Sequence, residues 1–132
     1  MVTPMKMVHV SDPADQIVKE VGDLSKVDIF ANQVLLGVYK RPDKTAGGVF
    51  LSDLTRGEDE HQGKVGLVLK LGPRAYVDDD ENHFDDSEKV KVGDWVVMWV
   101  TDGRKVIVNK QLCRVVRDFE IRMRIPAPDV VF

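Results

Sequence analysis

The chain has 132 residues, a formal net charge of -3, and 43% hydrophobic and 31% charged residues, the profile of one soluble domain able to bury a core without staples. Its single cysteine, Cys113, excludes an intrachain disulfide framework and fits a reducing compartment. The acidic balance argues against phosphate-dominated nucleic-acid binding, and the longest apolar run, WVVMWV at 95–100, is far short of the roughly 20 residues of a spanning helix. No basic segment followed by an apolar one opens the chain, so no signal peptide is expected.

In chain order, the first element is a short helix. Ser11 or Asp12 can cap it, Pro13 suits its first turn, Ile17, Val18 and Val21 share a face, and Gly22 is a stop. From Gln33 the period changes to two. QVLLGVYK at 33–40 reads as a strand, and the long loop RPDKTAGGVFLSDLTRGEDEHQG follows. KVGLVLKLG at 64–72 places Val65, Leu67 and Leu69 on one face. A second long loop, AYVDDDENHFDDSEK, is strongly acidic. DWVVMWV at 94–100 is apolar on both faces and reads as a central or well-covered strand. RKVIVNK is short and alternating. FEIRMRI at 119–125 alternates most clearly, with Phe119, Ile121, Met123 and Ile125 against Glu120, Arg122 and Arg124. Turn signals GPR, VGD and TDG punctuate the strands, so the chain reads as a small barrel or sandwich rather than a parallel α/β sheet. Loops this long inside a compact domain are usually functional or disordered.

The residues that could carry chemistry are few. Asp78, Asp79, Asp80, Glu81, Asp85 and Asp86 do not match the calcium-loop spacing, so a solvated acidic loop is expected. His9, His61 and His83 lie in separate segments without metal-ligand spacing, and Cys113 has no histidine partner in sequence, which favours a structural thiol. No nucleophile elbow, P-loop or dinucleotide fingerprint occurs. Trp95 and Trp99, four apart, would share a strand face, with core filling favoured over a ligand platform. One stretch resists a bland reading. In TAGGVFLSD at 45–53, three large apolar residues follow two glycines inside a polar loop. A short strand or hairpin edge could hold them, but the glycines weaken any strand, and an anchor for another protein explains the triplet better.

An ordered set of motifs resembles the chaperonin-10 family, the GroES-like co-chaperonins. QVLLGVYKR is similar to the family's early strand, TAGGVFLSD to its mobile loop, QGKVGLVLKLGPR to the strand and turn that follow, KVKVGDWVVMW to its V-K-V-G-D strand opening, and FEIRMRI to its final strand. The resemblance covers residues 31–125, with 1–30 as an N-terminal extension bearing the helix and 126–132 as a tail.

The resemblance implies a mainly β fold, a GroES-like irregular, partly open β-barrel with a long mobile loop and a roof loop. It implies a heptameric ring that caps a GroEL-type chaperonin in a nucleotide-dependent way and encloses non-native client proteins. Such a protein is no enzyme and needs no cofactor, since ATP is bound by the partner, and it works in the cytoplasm. It implies chaperonin binding through Ala46, Gly47, Gly48, Val49, Phe50 and Leu51, and a roof loop carrying Asp78, Asp79, Asp80 and Glu81. It implies ring contacts by two unpaired strand edges, with Val34, Leu36 and Val38 on one and Phe119, Ile121, Met123 and Ile125 on the other. Phe50 is bulkier than the family's usual aliphatic residue, and the acidic roof loop and both extensions mark a divergent member. A bacteriophage-encoded co-chaperonin, acting in the host cytoplasm on a capsid protein, fits that description. A GroES-fold structural or assembly protein that binds no chaperonin is the alternative, and AGGVFL argues against it. A zinc dehydrogenase barrel lacks its ligands here, and an oligonucleotide-binding barrel lacks its basic aromatic face.

Overall fold

The computed structural model describes residues 9, 11–41, 64–80 and 83–131. Helix α1, Pro13–Val21, begins where the Asp12 carboxylate accepts hydrogen bonds from the N–H groups of Ala14 (2.9 Å) and Asp15 (3.2 Å), and Pro13 occupies a position that needs no donor. It stops at Gly22, whose φ of 71° no ordinary side chain favours and whose N–H closes onto the Val18 carbonyl at 3.1 Å. Ile17 and Val21 are buried, whereas Val18, expected on the same face, is 53% exposed. The helix packs on Leu35, Leu67, Leu69 and Cys113. Gly37 permits this close seat, because a Cβ there would stand 2.5 Å from Ile17 Cγ2. The chain beyond the helix is pinned by Lys70, whose Nζ donates to the carbonyls of Leu24 (2.8 Å) and Val27 (2.6 Å).

Among the described residues, six antiparallel strands form one sheet that is not closed: β1 Gln33–Val38, β2 Val65–Leu71, β3 Trp95–Val97, β4 Arg104–Val108, β5 Gln111–Arg117 and β6 Met123–Ile125, in the order β4-β5-β1-β2-β3-β6. The fold is therefore mainly β, with one short α-helix among the described residues, consistent with the GroES-like architecture expected from sequence. One face buries Val34, Leu36, Val38, Val68, Val96, Met98 and Val116 with Tyr76 and Phe84 from the acidic segment. The other face carries Val65, Leu67 and Leu69 together, as their spacing predicted, and α1 covers part of it.

Three expectations are corrected. Residues 33–39 offer no free edge: β1 is central, hydrogen-bonded to β2 on one side and β5 on the other, and Val34, Leu36 and Val38 point into the core at 0%, 0% and 4% exposure. Second, 119–125 is not one alternating strand. A 3-10 turn at Asp118–Glu120 intervenes, held by the Arg117 N–H on Glu120 Oε1 at 2.8 Å, and only Met123–Ile125 pairs with β3. Third, β3 is only three residues long, so Trp99 and Val100 lie past its end and are 54% and 48% exposed.

Candidate functional site

The expected anchor residues Ala46, Gly47, Gly48, Val49, Phe50 and Leu51 lie outside the described residues, as do Glu81 and His61. The base of that loop is described. β1 and β2 are antiparallel neighbours, so residues 42–63 join adjacent strands, and the Tyr39 N–H bonds the Val65 carbonyl at 2.9 Å. Tyr39 is buried against Trp95 in an edge-to-face pair at 5.8 Å. Residues from both extensions meet it there. His9 Nε2 lies 2.7 Å from the Tyr39 hydroxyl, and Val131 of the tail packs on the same cluster of Tyr39, Val65, Val97 and Ile125.

The acidic segment leaves the sheet through a built base. Tyr76 and Phe84 are buried edge to face at 5.1 Å. Asp118, 3% exposed, accepts from the Tyr76 N–H (2.9 Å), Asn32 Nδ2 (3.2 Å) and the Phe119 N–H (2.8 Å), while the Tyr76 hydroxyl donates to the Asp118 carbonyl at 3.1 Å. These bonds hold Tyr76 in the left-handed region at φ 60°, a strained conformation for a bulky residue. Burial, aided by the Asp118 charge, pushes the Tyr76 phenol pKa up. Asp78, Asp79 and Asp80 are exposed at the rim. Asp78 accepts the Phe84 N–H at 2.8 Å, and that bond, with Lys89 and His83 nearby, holds its carboxyl below the usual range. Asp118→Ala leaves the buried Tyr76 N–H without its acceptor and should cost about 1–3 kcal/mol. A urea titration followed by circular dichroism measures this, and a change within error of zero would show that Asp118 is not the anchor of this segment.

Of the residues expected at ring contacts, Phe119 and Met123 are on the surface at 46% and 52% exposure, Ile121 packs partly on the main core, and Ile125 is buried. β6 has β3 on one side and no strand on the other among the described residues. The buried Arg114, Asp102 and Asp118 were not singled out in sequence. Nothing local marks them, because their partners lie far along the chain.

Cys113 is fully buried, and burial pushes its thiol up to about 11. It should resist iodoacetamide at neutral pH in the folded chain and react fully in denaturant; rapid labelling of the native protein would contradict this packing. Among the described residues no group of three or more His, Cys, Asp or Glu side chains is placed to hold a metal ion, and no helix is long and apolar enough to cross a membrane.

A family model described as "Chaperonin 10 Kd subunit" matches residues 26–124. No curated protein matches the chain.

Proposed function

Because the chain belongs to the chaperonin 10 family, with residues 26–124 matched, we propose that it is the lid of a GroEL-type chaperonin: a ring that caps the partner when nucleotide is bound and closes a chamber around a non-native client. Membership implies a co-chaperonin role, a GroEL-type partner and oligomerisation, in a family that is not one of enzymes. Sevenfold stoichiometry, cytoplasmic action and a phage capsid protein as client are further parts of this proposal. ATP belongs to the partner, and the lid needs no cofactor of its own.

The observation that carries the reading is the family match over residues 26–124, a span of sequence that includes AGGVFL between β1 and β2. Val49, Phe50 and Leu51 are the residues proposed to enter an apolar groove of the chaperonin. Each such contact is modest, and a ring that presents several copies gains tight yet reversible binding through multivalency. A head-to-tail ring requires a different surface on each side of the subunit, and the edge of β6, which no other strand covers among the described residues, would supply one of them. Asp78, Asp79 and Asp80 would line the roof opening. The test is refolding of a client that a GroEL-type chaperonin releases only when capped. Recovery of native client on adding this chain with ATP supports the proposal; recovery no better than without a lid rejects it.

A further inference from the structure

Tyr39 stands just past the end of β1, where the connection to β2 begins, and segments from far apart in the chain converge on it. The residue is 2% exposed. Its ring meets two others, Trp95 edge to face and His9 tilted at 57°, each with centroids 5.8 Å away. His9 Nε2 also lies 2.7 Å from the Tyr39 hydroxyl. The tail arrives from the opposite end of the sequence. It leaves β6 at Ile125, the register partner of Trp95, and Val131 packs on the cluster of Tyr39, Val65, Val97 and Ile125. Between them Pro128 and Asp129 are buried, so this is not a solvated tail.

Ordering a segment costs conformational entropy that its contacts must offset. Here the N-terminal segment and the tail are both ordered against one cluster, and that cluster sits at the root of residues 42–63. Two hydrogen bonds close the root: the Tyr39 N–H on the Val65 carbonyl at 2.9 Å and the Met98 N–H on the Lys64 carbonyl at 2.8 Å. The family match covers residues 26–124, so His9 and the whole tail lie outside it. The contact is therefore built from residues that the matched span does not include.

We propose that His9 and the tail through Val131 form a clasp on Tyr39, which holds the root of the β1–β2 connection closed and so sets how tightly that connection docks on a chaperonin. This rests on the lid reading given above. A root that is fixed beforehand leaves less backbone to order on docking, and a loosened root weakens every copy in the ring. The test is amide hydrogen exchange on the full chain, read beside nucleotide-dependent capping. His9→Ala and Tyr39→Phe each remove one hydrogen-bonding group and should speed exchange of the Tyr39 and Met98 amides by about two- to tenfold. The amides that pair β4 with β5, strands with no residue in this cluster, should keep their parent rates. His9→Gln, which keeps a hydrogen-bonding group, should recover most of the loss. Val131→Asp, a charge set against the same cluster, should act in the same direction as His9→Ala. His9→Ala, Tyr39→Phe and Val131→Asp should each weaken capping. Parent exchange rates at Tyr39 and Met98, or faster exchange throughout the chain, would overturn the clasp. Faster exchange at the root with capping as in the parent would overturn its link to docking and leave the lid reading standing. A parent chain that caps no chaperonin rejects the lid reading itself, and this proposal with it.

Discussion

On the proposed function, Leu51→Asp should abolish nucleotide-dependent capping of a GroEL-type chaperonin while the oligomer and its melting temperature stay as in the parent chain. Val49, Phe50 and Leu51 are large and apolar, and they stand between two glycines and SDLTRGEDE, a polar run in which a folded core has no use for them. If they dock in an apolar groove, each side chain contributes roughly 1.5–3 kcal/mol on burial. A carboxylate at Leu51 removes that term and adds the cost of taking a charge out of water. The loss then repeats in every subunit of the ring, so a moderate defect per loop becomes complete loss of the cap. Phe50→Ala should weaken capping in the same direction, without the charge penalty. Co-sedimentation with chaperonin and ATP measures both. Wild-type capping by both variants would remove the triplet from the contact.

Gly103→Ala should cost roughly 2–4 kcal/mol, the sum of a disfavoured backbone conformation and a steric clash. Gly103 has φ 68°, and a Cβ there would stand 2.3 Å from the Val115 carbonyl oxygen and 2.7 Å from Val116 Cγ1. The first of these is backbone, fixed by the pairing of β5 with β1 and β4, so the strand itself would have to move. Gly93→Ala is the control. Its φ is 98°, but no atom lies within 4 Å of the added Cβ, so only the backbone strain of about 1–2 kcal/mol applies. Urea titrations of the two variants separate the terms. Equal losses would mean that the approach of β5 to this turn is looser than the structure shows.

Much of the fold was written in short-range signals. Asp12, Pro13 and Gly22 punctuate α1 at the positions where it begins and ends. Val65, Leu67 and Leu69 mark the inward face of β2 because that strand is flanked by others and keeps a strict period of two. β5 is hard to read from sequence because Arg114, a charge, occupies a buried position and spoils the alternation of QLCRVVR. FEIRMRI misled in the opposite way. Its alternation is good, but Asp118 and Glu120 satisfy local backbone donors and bend the chain into a 3-10 turn before the last three residues pair. The edge assigned to 33–39 carried a warning in its own composition: VLLGV is apolar on both faces, the mark of a strand covered on both sides.

The candidate site divides along the same line. The apolar triplet is a local anomaly visible in nine residues of sequence, and its role is part of the proposal. Asp118 could not, since it meets Tyr76 across 42 positions and Asn32 across 86. Trp95 and Trp99 share a face only if one continuous strand holds both. β3 ends at Val97, which sends the first tryptophan inward and leaves the second exposed.

The most direct test of the co-chaperonin account is size-exclusion chromatography with light scattering, run on the chain alone and then with a GroEL-type chaperonin, with and without nucleotide. The account predicts a multi-subunit ring that co-elutes with the chaperonin only when ADP or ATP is present. A ring that passes every chaperonin by, with or without nucleotide, would contradict the account and assign the fold to an assembly role instead.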